Sequence, residues 1–386
     1  MTLHLDSKLP NVGTTIFTTM SAMAQKFGAI NLSQGFPDFD CDELLKERIC
    51  HYFQAGFNQY AAMPGHLKLR QQIALKMQRS YDCPINPETE ITVTSGATEA
   101  LFCAIEAIVQ RGDEVIVFDP AYDSYRPALD MVGAKTIHLK LQPPHFKIDW
   151  TEVENKLSHK TKLIIVNSPH NPTGQVMSDE DVEQLVRITN GTNTFILSDE
   201  VYEHLVFDSH EHKCLALNPK LKERAISVFS FGKTFHATGW KIGYAMANEM
   251  ITREFRKIHQ FVTFSSATPI QMGIADMIEM KPDYFAGIAP MYQAKREYFL
   301  SLLKLTKLQP LATQGSYFQL ASFAHLEQYS HMSDVEFCQY LTQTIGVAAI
   351  PISVFYHEIT DHKLIRFCFA KSEATLRNAA NKLLTV

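Results

Sequence analysis

From about residue 91 the chain alternates short apolar runs with helical stretches, and this alternation constrains the fold more than any other feature. The runs are ITVTSG, DEVIVFDP, TKLIIVNSP, TFILSDEVY, AISVFSFGK and IGYAMAN. One intervening helix has Leu101 and Ile108 on a single face, and another begins with Ser178 and Asp181 at the spacing of a capping box. Strands that are apolar on both faces and separated by helices are typical of a parallel sheet covered on both sides. The sequence therefore predicts an α/β fold with a mostly parallel central sheet flanked by helices.

The C-terminal part of the chain has a different pattern. A long helix through QAKREYFLSLLK is followed by a strand, GSYFQLAS, by a helix that begins at Ser333 with Glu336 three positions later, and by an alternating strand, HKLIRFCFA. These elements indicate a smaller α+β unit. We expect a large domain over residues 35–285 and a small, discontinuous domain formed by 1–34 together with 286–386.

The charge and cysteine content exclude several classes of protein. The 386 residues carry a net charge of −5 without a cluster of Lys and Arg, so we expect no nucleic-acid partner. No leader and no apolar run of about 18 residues is found, which predicts a cytoplasmic protein without a membrane partner. The seven cysteines are scattered and the histidines lack ligand spacing, so neither disulfides nor a metal are expected.

Five predicted strands end in polar or glycine residues, in the stretches TSGATEA, DPAYDSY, NSPHNPTG, SDEVY and SFGKTF. Ligands of such sheets bind beyond the carboxyl ends of the strands. Lys233 follows Gly232 at one of these ends, where a turn should begin. Taken alone, Lys233 is more often a lysine that extends to solvent, Asp199 a helix cap and Asn171 a turn former. Together they place an amine, a carboxylate and an amide at one edge of the sheet.

A phenol and a helix start complete this set. Tyr202 and Tyr122 lie in two of the strand-end stretches, and the backbone N–H groups of Gly96, Ala97 and Thr98 lie at the positive end of a helix. Pyridoxal phosphate needs a lysine for its aldehyde, an acid for its ring nitrogen and N–H donors for its phosphate. The combination indicates a site for this cofactor.

Six motifs resemble those of one enzyme family. SFGKTFHATGWKIG is similar to the lysine signature of the class I and II aminotransferases of fold type I, and NPTG and SDEVY precede it at the expected distances. The stretches at 30–39, 58–70 and 364–369 extend the resemblance over essentially the whole chain. It is strongest to the branch that contains methionine, kynurenine and glutamine aminotransferases. It implies a homodimer that moves the amino group of methionine or aromatic amino acids to a 2-oxo acid through double displacement.

The resemblance also implies a role for each matching residue. Lys233 would hold the cofactor covalently and move the proton at the substrate Cα. Asp199 would keep the pyridine nitrogen protonated, and Tyr202 would form a hydrogen bond with the 3′ oxygen of the ring. The other implied cofactor contacts are Asn171 and Asn167 near the 3′ oxygen, Tyr122 on the ring face, and Gly96, Ala97, Thr98, Ser230 and Lys241 at the phosphate.

The implied substrate contacts come from distant parts of the chain. Arg366 would bind the α-carboxylate through its bidentate fork, close to Gly35 and Asn171. Tyr60 would reach the phosphate of the neighbouring subunit. The side-chain end of the pocket would be formed by the segment 14–24, which offers Ile16, Phe17 and Met20 and no arginine. An apolar wall of this kind favours methionine and aromatic substrates over aspartate.

The chain departs from the family pattern at two positions and leaves alternatives open. Lys241 stands where arginine is commoner, which keeps the charge and loses the fork. Ser265 follows Phe264 where kynurenine-type enzymes carry histidine, which argues against kynurenine itself as the substrate. An aminotransferase that prefers kynurenine or glutamine stays an alternative. A carbon–sulfur β-lyase shares the fold and the lysine and is the second enzymatic interpretation. A regulator that fuses this fold to a DNA-binding module is disfavoured by the absence of a basic N-terminal module.

Overall fold

The computed structural model describes residues 3–386, and its elements follow the alternation in the sequence. The helices are α1 Ile16–Phe27, α2 Glu43–Gln54, α3 Leu67–Tyr81, α4 Gly96–Ile108, α5 Tyr125–Val132, α6 Trp150–Lys156, α7 Asp179–Thr189, α8 Phe231–Thr234, α9 Glu249–Val262, α10 Thr268–Met280, α11 Tyr284–Leu303, α12 Asp334–Tyr340 and α13 Glu373–Leu383. The strands are β1 Ile30–Asn31, β2 Ile91–Thr94, β3 Glu114–Asp119, β4 Lys135–Lys140, β5 Thr161–Asn167, β6 Phe195–Asp199, β7 Ala225–Ser230, β8 Gly243–Ala247, β9 Gln309–Pro310, β10 Phe318–Ser322, β11 Val347–Ala348, β12 Ile350–Pro351 and β13 Leu364–Cys368.

A seven-stranded sheet forms the centre of the molecule, in the order β2-β8-β7-β6-β5-β3-β4. The pairs from β7 to β4 are all parallel, whereas β8 is antiparallel to both of its neighbours, β2 and β7. Six strands therefore run in one direction, and their carboxyl ends meet at the same edge. The predicted fold class, an α/β fold with a mostly parallel sheet, is confirmed.

Both faces of the sheet are covered, as the apolar strands require. Along β5, Leu163 and Ile165 belong to one hydrophobic cluster, which they share with residues of α4, α5 and α9. Ile164 and Val166 point to the opposite face and join a second cluster that continues into the C-terminal strands. This alternation explains why β5 is apolar at each position from Leu163 to Val166: both of its faces are covered.

The C-terminal strands form an antiparallel four-stranded sheet in the order β12-β13-β10-β9. The N-terminal strand β1 pairs in parallel with β11 in a separate two-stranded sheet, so the two ends of the chain contact each other. The capping boxes at Ser178 and Ser333 form as the sequence predicts. The division into domains at residues 35 and 285 stays a prediction.

All seven cysteines are free thiols, and five of them are buried. Within residues 3–386 we find no helix that combines the length and the apolar character needed to cross a bilayer.

Candidate active site

A cavity of about 300 Å³ lies where the central strands end. Asn167 at the end of β5 pairs in register with Asp199 at the end of β6, and Ser230 ends the neighbouring strand β7. Lys233 follows in α8, a single helical turn in which Phe235 N–H donates to the Phe231 carbonyl. The sequence predicted a turn at this position, and the structure has a helical one. The parallel register thus brings groups that are far apart in the chain to one cavity.

Most of the predicted site residues line this cavity. They are Phe17, Gly35, Gly96, Ala97, Thr98, Tyr122, Asn167, Asn171, Asp199, Tyr202, Ser230, Lys233, Lys241 and Arg366. Ile16 instead lines a neighbouring cavity of about 420 Å³. Tyr60 is 84% exposed and lies outside both cavities, whereas Met20 is a core residue that offers no wall to either.

Lys233 is half-buried, and its amine lies in the wall of the cavity. Its Nζ donates a hydrogen bond to the Gly35 carbonyl at 3.1 Å and lies 5.8 Å from the centre of the Tyr202 ring. Burial lowers the pKa of Lys233 to about 8, because desolvation disfavours the charged form. A larger fraction of the amine is therefore neutral near pH 7 than at an exposed lysine, as a nucleophilic amine requires.

The carboxylate of Asp199 is held by neutral donors. Its Oδ2 accepts from the Tyr125 hydroxyl at 2.7 Å and its Oδ1 accepts from the Val201 N–H at 3.4 Å. Burial raises the pKa of Asp199 to about 6, and within residues 3–386 it forms no salt bridge. A cationic N–H group placed in the cavity would be the missing partner. The sequence analysis missed Tyr125, although it lies three positions after Tyr122 at the start of α5.

A cradle for an anion forms at the start of α4. Gly96 begins this helix with a φ of +76°, and a Cβ at that position would lie 3.5 Å from Nζ of Lys241. Gly243 of β8 packs so closely that a Cβ there would lie 2.5 Å from the Phe229 carbonyl and 3.0 Å from the Ala97 nitrogen. Helix N-terminal amides next to an ammonium group form a site for a phosphate.

Arg366 is the largest fully buried side chain, and both of its hydrogen-bond acceptors are uncharged. Nη1 donates to Asn171 Oδ1 at 2.7 Å and Nη2 donates to the Ser33 carbonyl at 3.1 Å. Its guanidinium lies 3.8 Å from the centre of the Phe318 ring, and Nε has no partner within the described part of the chain. Burial lowers the pKa of Arg366 to about 10, which still leaves it charged at pH 7. A buried cation of this kind is suited to bind a carboxylate.

Sequence reasoning missed two residues that shape this end of the cavity. The Tyr317 hydroxyl donates to the Gly35 carbonyl at 2.5 Å, beside the amine of Lys233. Phe318 lies against Arg366, and a Cβ at Gly35 would lie 2.8 Å from its ring. The stretch GSYFQLAS reads as an ordinary buried strand and carries no signal for either contact.

The sheet order, the lysine after β7 and the buried acid at the end of β6 define the class of enzyme. The chain belongs to the class I and II aminotransferases, whose family model matches residues 28–383. It is 49% identical to the methionine aminotransferase of Escherichia coli (strain K12), over 98% of this chain and 97% of that protein. A kynurenine–oxoglutarate transaminase of Dictyostelium discoideum is 36% identical, with 96% and 94% covered.

Solved structures agree with this assignment. YbdL from Escherichia coli, whose structure and reactivity identified a methionine aminotransferase function, superposes with a TM-score of 0.97 at 48% identity over 100% of both chains. An aspartate aminotransferase from Thermus thermophilus superposes with a TM-score of 0.89 at 27% identity, again over 100% of both chains. The predictions of an aminotransferase and of its fold type are confirmed.

Proposed function

We propose that this aminotransferase uses pyridoxal phosphate and takes methionine and aromatic amino acids as amino donors. The observation that carries the proposal is the convergence of three groups on one cavity: the amine of the half-buried Lys233 and two buried groups, the carboxylate of Asp199 and the guanidinium of Arg366. The 49% identity to a methionine aminotransferase supports the choice of donor. Two half-reactions would pass the amino group from the donor to the enzyme and then to a 2-oxo acid.

The residues present fit pyridoxal phosphate. Asp199 lacks a cationic partner, and a protonated pyridine nitrogen would supply it. The start of α4 with Lys241 offers donors and positive charge for the phosphate, and Ser230 lines the same wall. When bound, the cofactor accepts the electrons that are released as the Cα–H bond breaks.

Lys233 would hold the cofactor covalently and then carry the proton at Cα, because desolvation lowers the pKa of its amine to about 8. Asn171 already accepts from Arg366 through Oδ1, so its amide N–H₂ is left to donate to the 3′ oxygen of the ring. Burial raises the pKa of Tyr202, which keeps its hydroxyl protonated as a second donor. Asn167 donates to the Asp199 carbonyl at 2.8 Å and supports this corner, and Tyr122 would cover the ring face.

The exposed face around Tyr60 supports the proposal of a homodimer. Tyr60 contacts Phe264 at 5.5 Å between ring centres, and Phe261 nearby is 85% exposed. Exposed aromatic side chains that contact each other are typical of an interface. In the dimer, Tyr60 would reach the phosphate of the neighbouring subunit.

The side-chain end of the substrate pocket would be apolar on one side and acidic further out. Phe17 lies 5.2 Å from the Arg366 guanidinium and 5.7 Å from Phe355 between ring centres. Ile16 lines the neighbouring cavity together with Asp123, a carboxylate of its wall. A second substrate carboxylate would meet an apolar surface and a like charge, and both disfavour it.

We therefore expect methionine and aromatic donors to exceed aspartate in kcat/KM by at least about 100-fold, since desolvating an unpaired carboxylate costs several kcal/mol. The measurement is a panel of amino acids, each followed by the absorbance change of the cofactor in a single half-reaction. A preference for aspartate would contradict the pocket assignment. Release of pyruvate and ammonia from S-conjugates without a 2-oxo acid would indicate β-lyase chemistry instead.

Arg366→Ala should raise KM for the amino acid and for the 2-oxo acid alike, because both lose the charge-assisted fork for the α-carboxylate. The expected decrease in kcat/KM corresponds to a loss of binding free energy on the order of 2–5 kcal/mol. Arg366→Lys is the matched control, because it keeps the charge and loses the second hydrogen bond. Its kcat/KM should lie between those of wild type and Arg366→Ala. Unchanged steady-state kinetics in the alanine variant would move the carboxylate site elsewhere.

A further inference from the structure

A buried histidine, His259 of α9, lies between the start of α4 and the segment that carries Tyr60. Its Nδ1 is 2.6 Å from Glu99 Oε1 on α4, and its Nε2 is 3.0 Å from the Met63 carbonyl. Glu99 in turn accepts from the Ser95 N–H through Oε2 at 2.7 Å, directly before Gly96. One imidazole thus connects the phosphate cradle with the chain three residues after Tyr60.

Both nitrogens of this ring have a hydrogen-bond partner. The Met63 carbonyl can only accept, and the Glu99 carboxylate accepts from Ser95 and from the Cys103 thiol as well. Nε2 therefore donates to the Met63 carbonyl, and one proton lies between Nδ1 and the Glu99 carboxyl group. The His259 side chain is 0% exposed and that of Glu99 is 8% exposed. Removing one partner of such a buried pair leaves a polar group of the other without its hydrogen bond.

These side chains do not need a metal to explain their arrangement. Glu99, Cys103 and His259 lie close enough to hold an ion. However, Nδ1 of His259 and Sγ of Cys103 both already form hydrogen bonds with Oε1 of Glu99. The expectation that the chain uses no metal stays a prediction.

The segment around Tyr60 is held at several points. They include the contact of His259 with Met63, a hydrogen bond from the Val93 N–H of β2 to the Pro64 carbonyl at 2.9 Å, and two bonds to α10. Thr268 Oγ1 donates to the Gln59 carbonyl at 2.6 Å, and the His66 N–H donates to Gln271 Oε1 at 2.7 Å. Both of these partners lie on α10. The contact with Met63 joins the segment to α4 through the side chains of His259 and Glu99, whereas Val93 holds it through the backbone of β2.

We propose that His259 is a positioning residue for the cofactor phosphate and that it acts on two sites of the dimer at once. In its own subunit it orients the start of α4 through Glu99. It also acts on the cofactor phosphate of the neighbouring subunit. Through Met63 of its own chain, it holds Tyr60 of that chain within reach of this phosphate. The inference rests on the proposed cofactor and dimer.

The first test is the rate at which pyridoxal phosphate leaves the protein after dilution, followed by its absorbance. His259→Phe keeps a planar ring and removes both ring nitrogens; we expect release to be at least about tenfold faster, which corresponds to about 1.4 kcal/mol. Glu99→Gln should act in the same direction. Because the two residues form one pair, the double variant should release the cofactor no more than about twofold faster than His259→Phe alone. Additive effects, or release at the wild-type rate, would overturn the inference.

His362→Phe serves as the control, since it replaces a half-buried histidine of the C-terminal region and should release the cofactor at the wild-type rate. Faster release in this control, matching that of His259→Phe, would show a general loss of stability and overturn the inference. If His259→Phe does not fold, the rate of pyridoxal phosphate release from Glu99→Gln tests the proposal instead, because glutamine keeps the size of the side chain.

The second test separates positioning across the interface from a local structural effect. A heterodimer is purified with one wild-type subunit and one subunit that carries Lys233→Ala together with His259→Phe. Covalently bound cofactor is then present only in the wild-type subunit. We expect this cofactor to be released faster than from a heterodimer whose other subunit carries Lys233→Ala alone. Tyr60→Phe in place of His259→Phe should give the same result.

Release at the rate seen beside Lys233→Ala alone would overturn the action across the interface. A wild-type chain that retains no pyridoxal phosphate would contradict the proposed cofactor itself. These two failures can be distinguished, because the absence of pyridoxal phosphate from the wild-type protein is seen before any variant is made.

Discussion

Replacing Lys233 by alanine should leave a folded protein that cannot hold pyridoxal phosphate through a covalent bond. The amine lies at the end of β7, hydrogen-bonded to the Gly35 carbonyl, and its burial lowers its pKa to about 8. Both the covalent attachment and the proton transfer at Cα would depend on it, so transamination should fall by more than about 10⁴-fold. Borohydride reduction followed by mass spectrometry measures the attachment directly: wild type should gain a stable adduct and Lys233→Ala should not.

Lys295→Ala provides the matched control for this experiment. Lys295 is also partly buried and lies 4.5 Å from the centre of the Phe39 ring, but it does not line the cavity. This variant should keep both the adduct and the activity. An adduct that persists in Lys233→Ala would show that another lysine, of which Lys241 is the nearest candidate in the cavity wall, is the point of attachment.

The sheet and its edge could be predicted from the sequence because each depends on local patterns. Apolar runs bounded by Gly, Pro and Asn indicate where a strand stops, and parallel strands bring those ends to one edge. Asn167, Asp199 and Ser230 therefore lie together although they are far apart in the chain. The one antiparallel strand, β8, has the same apolar pattern as its neighbours, so its direction was not readable from composition.

Contacts between distant segments of the chain could not be predicted from local sequence patterns. Tyr317 reaches the Gly35 carbonyl across 282 positions of the chain, and His259 reaches Met63 across 196. Neither residue belongs to a motif, and each looks like an ordinary core residue in its own element. Met20 shows a limit of this reasoning, because the sequence does not distinguish an apolar residue of α1 that lines a pocket from one that packs into the core. Ile16, on the same helix, lines the neighbouring cavity.

Asp199→Asn should keep the fold and reduce transamination by at least about 10³-fold, since a preorganised charge at a developing ion contributes about 3–4 kcal/mol. Asparagine keeps the size and can still accept from the Tyr125 hydroxyl, so the variant removes the charge and little else. The protonated pyridine nitrogen would lose its counter-ion, and the electrons from Cα would have no favourable place to go. Single-turnover absorbance with methionine measures this step apart from product release.

The stability of the cofactor-free protein gives an independent check on the same carboxylate. Burial raises the pKa of Asp199 from 3.8 to about 6, so between these values the folded state binds more protons than the unfolded state. Its contribution to stability therefore falls as the pH rises through this window and stays unfavourable above it. Asp199→Asn removes that fall, and the variant without cofactor should melt at or above the wild-type temperature at pH 7. A variant that melts well below wild type, yet transaminates within a few-fold of it, would make Asp199 a structural residue and leave the ring nitrogen without its acid.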